Sequence, residues 1–452
     1  MSRWWSALAP LRRYPSALAG LTLILALVVL ALATLIAIPY PKALELWRGG
    51  EAWRMTPVNA RPIWSAWLAG EDLPRTQIVT SRDAEIAQQD FDGVRRLRIP
   101  LTFDYRSSAF PSELNLFVTA PDSGRESFVR LLWQTPDGRE IPLGGHRVSG
   151  AERISLSQDW GLERRLGRVP HVGLLAAPGD PSKPAEVLPG RYRLVIEAIL
   201  FDVAERPAGA SSSELAAELA VYGRVHGLAG TDHRRRDLMV ALLWGTPVAL
   251  AFGLLAAVGT TLSTLVIAAT GVWLGGWLDA LIQRLTEVSM ILPLLPILVM
   301  VGTLYSTSIW VMLGVVIALG IFSAGIKMYR AMLLPLRGAP YIEAARAYGA
   351  GHGRIILRYL IPRILPVLIP GFVTLIPSFV FLEASLALLG LGDPLLPTWG
   401  KVLNDAQAES ALYNGHYYWV LEPAVLLMLT GLGFAMLGFA LDRIFNPRLR
   451  SL

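Results

Sequence analysis

Residues 238–278 contain no aspartate, glutamate, lysine or arginine, and residues 288–326 repeat the pattern. Runs of this length exceed the ~20 apolar residues that a helix needs to cross a bilayer. Backbone groups in hydrocarbon must bond within their own segment, so helices are expected there. Leu238–Gly245 is read as an interfacial helix and Pro247–Leu274 as a span. Residues 288–326 become two spans joined by a tight turn at Tyr305–Ser308. Residues 18–38, 366–391 and 424–441 bring the total to six. The first of these follows Arg3, Arg12 and Arg13, as a signal peptide would, but its core is too long and no small-x-small cleavage site follows, so a retained span is expected.

Composition agrees: 53% of residues are hydrophobic and 17% charged, ordinary for a polytopic membrane protein. The formal charge of +6 is carried almost wholly by arginine and falls on short loops. Residues 327–363 hold Lys327, Arg330, Arg337, Arg346, Arg354, Arg358 and Arg363 against Glu343 alone. The tail adds Arg443, Arg448 and Arg450, whereas residues 392–422 show Asp393, Asp405, Glu409 and Glu422 against Lys401. Because basic loops stay inside, a multi-pass inner-membrane protein with both termini cytoplasmic is expected. Arg234-Arg235-Arg236 then falls outside, near the membrane, against the trend. No aromatic–basic stripe suggests nucleic acid. The absence of cysteine removes a thiolate metal site or nucleophile, and six scattered histidines lack metal-ligand spacing, so no metal site is expected.

Between the first two spans the composition changes. Residues 96–105, 112–124, 127–143, 190–201 and 219–225 alternate polar and apolar residues between Pro-Asp, Asp-Gly and Pro-Gly turn signals, the pattern of an antiparallel sheet. The expected fold is an all-α polytopic membrane domain with an inserted, mainly-β extracytoplasmic domain. The boundaries are 1–41 for the N-terminus and first span, 42–225 for the insert and 226–452 for the core. A helix near Ser211–Ala217 and a loop at 176–190 are also expected. The insert's acids, Asp83, Glu85, Asp90 and Asp92, read as a solvated face, and no nucleophile motif or phosphate loop accompanies them.

Residues 338–364, "GAPYIEAARAYGAGHGRIILRYLIPRI", interrupt the apolar runs. Pro340 suits the first turn of a helix, where its missing N–H costs nothing, and Glu343 in that turn complements the dipole. Ala344, Ala345 and Ala347 make a small, smooth side. Gly349, Gly351 and Gly353 then break the helix, and a second, basic helix is expected to run to Pro362 and Pro366. Small side chains let a partner's backbone approach closely, so a knob for a groove on a cytoplasmic protein is preferred over an amphipathic connector.

"EAARAYGAGHGRIILRYLIP" closely resembles the EAA coupling loop of ABC importer permeases. "GLAGTDHRRRD" (227–237) is similar to the "GTDxxGRD" stretch of C-type dipeptide, oligopeptide and nickel permeases, and "LEASLALLGLGDPLLPTWGKVLNDA" (382–406) to their "EASLxFLGLG…P-x-WG" signature. "IPYP" and "NPRL" (446–449) resemble that family's "APYNP" and "DPRL". Arg235 stands at that family's second glycine, Phe439 replaces an acid in the last span, and the insert is larger than usual. The resemblance implies a permease subunit for peptides or similar small solutes. It would pair with a second, B-type permease above two ATPase subunits and receive solute from an extracytoplasmic binding protein. Glu343, Ala344, Ala345, Gly349, Gly351 and Pro362 would couple to the ATPase. No cofactor is expected on this chain; ATP and magnesium would sit on the ATPases, since no GxxxxGK[ST] loop occurs here. Glu383, Pro377, Trp399 and Gly400 are candidates for the path or its gate, Glu383 because an intramembrane carboxylate is costly without a task. Glu287 beside Arg284 reads as a structural pair. The competing reading is a membrane-anchored receptor or enzyme whose insert is the active part; it leaves 338–364 unexplained. A channel is a third reading, for which no filter motif is visible.

Overall fold

The computed structural model describes residues 14–91, 94–120, 127–180, 183–201 and 215–445. Arg3, Arg12, Arg13, Asp92, the 446–449 motif, Arg448, Arg450 and most of the Ser211–Ala217 helix fall outside them. The chain divides into two compact units, one made of the segments up to Arg48 and from Val240 onward, the other of Gly49–Met239.

The first unit is helical. Among the described residues four helices are long and apolar enough to span: α1 (Pro15–Ala37), α5 (Leu238–Leu274), α11 (His352–Leu391) and α13 (Tyr418–Phe445). Two bent pairs bring the number to six if each is counted as one crossing. α6 (Gly276–Ile291) meets α7 (Leu294–Leu304) at 77°, and α8 (Ile309–Gly320) meets α9 (Gly325–Arg337) at 46°. The first bend falls at Pro293, which has no N–H to continue a helix. At the second, the Thr264 hydroxyl donates to the carbonyls of Gly320 (3.3 Å) and Ile321 (3.0 Å), partnering groups that the break frees. Shorter pieces are α2 (Tyr40–Arg48), α10 (Pro340–Ala347) and α12 (Trp399–Ala408).

Helices touch where side chains vanish. A Cβ on Gly20 of α1 would lie 2.7 Å from the carbonyl of Gly433 in α13, and one on Gly253 of α5 would lie 2.9 Å from the carbonyl of Ile376 in α11. Small residues let backbones approach in lipid, where packing replaces the hydrophobic drive.

Two helices run further than their prolines suggest. The interfacial helix expected at Leu238–Gly245 is continuous with the span through Pro247. The basic helix after the glycines is continuous with span five through Pro362, Pro366, Pro370 and Pro377, with a π-turn at Ile356–Leu360. Packing along both helices outweighs the few bonds that the prolines remove.

The second unit holds two antiparallel sheets. One orders its strands β1 (Gln77–Thr80), β9 (Ala216–Tyr222), β4 (Glu113–Thr119), β7 (Ala151–Ser155); the other β2 (Ala87–Phe91), β3 (Val94–Tyr105), β8 (Gly190–Phe201), β5 (Ser127–Gln134), β6 (Glu140–Val148). Alternation along β5 sends Val129, Leu131 and Trp133 inward. They meet Leu116, Val118 and Leu219 of the other sheet in one core, with Phe103 and Tyr192 stacked at 5.7 Å between ring centres. The Trp133 indole donates to the Leu174 carbonyl at 3.1 Å, so its buried N–H is satisfied. Helices α3 (Ile63–Ala69) and α4 (Trp160–Leu166) decorate the unit. It extends to Met239 and takes in residues 226–237, which the sequence reading groups with the membrane core.

Candidate coupling site and outer cluster

α10 begins at Pro340 in its first turn and carries Glu343 there, as the sequence suggests. Its Ala- and Gly-rich chemistry is divided between two faces. Ile342 and Ala345 turn inward and are buried, Ile342 in one core with Ile355, Ile356 and Leu360. Glu343, Ala344, Arg346 and Ala347 are exposed. Ala345 therefore packs the helix down, and the small outward surface is Ala344 with Ala347. Gly349 ends the turn at φ +76, a left-handed conformation that glycine takes without cost, and no atom lies within 4 Å of the place its Cβ would fill. Gly351 stands at φ −70 as the N-cap of the next helix. Pro362 is exposed within α11.

Two contacts fix this elbow to the unit, and a third ties the neighbouring helices α6 and α9 together. The Trp273 indole donates to His352 Nδ1 at 2.9 Å, the Arg346 guanidinium lies 5.4 Å from the Trp273 ring centre, and Arg330 grips Asp279 through two nitrogens at 2.6–3.1 Å. A bidentate pair fixes angle as well as distance. Arg284 pairs with Glu287 at 2.8 Å, the structural pair expected of them, with Lys327 at 3.6 Å. The sequence reading missed Tyr348, which is 93% exposed beside Gly349. It also missed the Trp273–His352 bond, whose partners lie 79 residues apart. An aromatic directly before Gly349 was the one available signal for Tyr348.

At the opposite end of α11 a second cluster assembles. Glu383 is buried within hydrogen-bonding reach of the Thr398 hydroxyl. Trp399 is buried, and its indole donates at 2.8 Å to the Leu242 carbonyl, one residue before the carbonyl that Pro247 cannot serve. Its ring needs Gly245: a Cβ there would sit 2.2 Å from Trp399 Cδ1. Gly400 is equally tight, since a Cβ would lie 2.8 Å from Ala384 Cα. Glu383, Trp399 and Gly400 thus form one packed latch between α5, α11 and α12. Pro377 stands apart, buried in α11 beside Ile376, whose carbonyl is the close neighbour of Gly253 on α5. A cavity of about 320 Å³ opens instead between the bent pairs and α11, lined by Thr260, Ser289, Ser323, Leu375 and Phe379 among others.

In the β-rich unit the 227–237 segment is folded on itself. Buried Asp232 pairs with buried Arg236 at 2.5 Å and accepts backbone N–H bonds from Arg234 and Arg236, both at 2.8 Å. Arg235 holds φ +66 where the resembling motif has glycine. Its guanidinium donates to the Thr56 carbonyl at 2.7 Å, pairs with Glu113 and lies 4.5 Å from the Tyr222 ring centre. Only Arg234 of the triplet is exposed, so most of the charge that opposes the expected topology is consumed within the unit.

Residues 259–451 match the family described as binding-protein-dependent transport system inner membrane component. A glutathione transport system permease protein of Pectobacterium atrosepticum is 31% identical over 230 residues, covering 49% of this chain and 73% of the relative. Its counterpart in an Escherichia coli strain is 32% identical over 231 residues, 49% and 72% respectively. A Brucella suis protein that carries a peptide-permease name is 31% identical over 220 residues, 48% and 72%. These relatives favour the permease reading over a membrane-anchored enzyme or receptor. The chain belongs to the binding-protein-dependent transport family and is a multi-pass inner-membrane permease component of an ABC importer.

Proposed function

We propose that this permease imports small peptides or peptide-like solutes, and that residues 340–349 receive the force of ATP hydrolysis. The observation that carries the reading is the division of α10 into a buried face, Ile342 and Ala345, and an exposed one, Glu343, Ala344 and Ala347. A short helix anchored on one side and bare on the other suits a groove in an ATPase. Because α11 runs from His352 past Glu383 before it kinks at Gly390, a push on the elbow travels along it to the Glu383–Trp399 latch. Rigid-body rocking of such helices gives alternating access. A second permease subunit, two ATPases holding ATP and magnesium, and a solute-binding protein complete the importer. Both termini and residues 327–363 face the cytoplasm, where their arginines belong. Glu383, Trp399 and Gly400 act as the gate, and this chain itself holds no cofactor. The peptide class follows the names of the relatives.

The test is a cross-link and a transport assay. Ala344→Cys, in a chain without native cysteine, should join a nucleotide-binding subunit; reaction with lipid or water alone refutes the docking. Glu343→Lys and Gly349→Pro should abolish ATP-driven uptake while solute delivery to the outer face continues, and full uptake by either defeats the coupling assignment.

A further inference from the structure

Within the helical unit, α1, α5 and α8 enclose a cavity of about 530 Å³, inside the ~300–1,000 Å³ range of small-molecule sites. Leu35, Trp244, Phe252, Trp310 and Leu313 wall it, joined by Leu396 from the loop before α12. Among the described residues that line it none is charged. The Trp244 indole is spent on the Ile38 carbonyl at 3.0 Å. An ordered water needs about two to four polar partners, so walls of this kind suit an apolar guest.

The walls also say which guest. Where helices of this unit meet closely, glycines make room, as at Gly20 against Gly433 and Gly253 against Ile376. Seams between spanning helices are built in that way. Here the walls are mostly rings and leucines, which offer no small-residue seam to a second helix ~10–12 Å across. A flexible acyl chain threads between such side chains. The mouth faces its source: Leu32, Leu35 and Ile36 follow an i, i+3, i+4 spacing on the spanning helix α1 and are all exposed. Tyr40, Trp244 and Trp310 gather at helix ends, the residue types that mark the headgroup level. The Tyr40 and Trp244 rings lie 5.8 Å apart. Tyr40 is half exposed, and its hydroxyl has no partner among the described residues, which leaves it to donate to a lipid ester or phosphate oxygen. The cavity adjoins the latch as well. Trp244 precedes Gly245, which admits the Trp399 indole, and Leu396 lies on the loop that leads to Trp399.

We propose that this cavity is a phospholipid site, in which an acyl chain enters between α1 and α8 and packs behind the Glu383–Trp399 latch. The probe is a phosphatidylethanolamine with a photoreactive diazirine in one acyl chain, present at low mole fraction in nanodiscs that hold the full-length protein with its partner subunits. Adducts located by mass spectrometry should be several-fold denser at 244–252 and 309–313 than at Leu25 of α1 and Phe439 of α13, two exposed positions on spans. Ala251→Trp, which adds bulk to the lining, should bring the cavity adducts down to the level of those positions and leave theirs unchanged. Val248→Phe, a smaller step in the same wall, should act likewise if Ala251→Trp fails to assemble. Equal density at all four places would show ordinary contact with bulk lipid. Labelling of Leu25 and Phe439 alone would show a protein covering the mouth. Dense adducts that survive both substitutions would place the chain elsewhere. Each of these three results overturns the proposal.

Discussion

Gly349 and Arg235 both place their backbone in the left-handed region, at φ +76 and +66, but their surroundings are opposite. No atom lies within 4 Å of the Cβ position at Gly349, and its backbone freedom lets the turn close through bonds from the Gly349 amide to the Arg346 carbonyl at 2.9 Å and from the Ala350 amide to the Ala345 carbonyl at 3.0 Å. Arg235 takes a conformation that costs a side-chain-bearing residue about 1 kcal/mol or more. Its bonds to Thr56, Glu113 and the Tyr222 ring hold it there. The elbow of the membrane unit is thus shaped without being filled, which leaves its surface bare for a partner. The loop of the β-rich unit is bolted from within. A larger insert supplies Glu113 and Tyr222, and an arginine that would be strained at that position in a bare loop becomes a fastener.

Breaking the bolt should give the largest effect. Asp232→Ala leaves the Arg236 guanidinium buried without its carboxylate, and removing one partner of a buried pair costs roughly 3–5 kcal/mol. Amide exchange across residues 226–238 should accelerate accordingly, with little change in the helices after Val240. Protection as strong as in the parent chain would mean that the pair contributes nothing to the loop. Arg235→Ala comes next. It keeps the left-handed strain and loses the bonds, so a loss of about 1–3 kcal/mol is expected in thermal unfolding followed by near-ultraviolet dichroism. Arg235→Gly also loses the bonds but relaxes the backbone, and should fall between Ala and the parent. If glycine proves worse than alanine, the strain argument is wrong.

Legibility follows the same contrast. The spans were readable because lipid demands long charge-free runs, and β3, β4, β5, β6, β8 and β9 because a half-buried strand alternates. β1 and β7, edge strands of four and five residues, are too short for a period to show. Helix continuity through Pro247 and Pro362 depends on packing that no local propensity encodes. At the elbow, the sequence identifies the residues but not the phase of the helix. That Ala345 faces in and Ala344 out is decided by where Ile342 and Ile355 find a core. The Glu383–Trp399–Gly400 latch was nameable residue by residue, but Gly245, which admits the indole, was invisible without the fold.

The smallest effects sharpen the comparison most. Gly349→Ala keeps the turn's surroundings empty but asks alanine to hold φ +76, so a loss of about 1 kcal/mol is expected, read as faster amide exchange at Tyr348–Gly351. Gly351→Ala is the counterpart. Gly351 sits at φ −70 with nothing within 4 Å of its Cβ position, so neither strain nor crowding opposes a methyl group. In the purified chain its effect on exchange should be close to zero. In the assembled importer the same substitution adds bulk beside a surface proposed to meet an ATPase. An uptake defect from Gly351→Ala, without any change in the isolated chain, would therefore locate the contact at the second glycine. Unchanged uptake would confine the contact to the Ala344–Gly349 side of the elbow.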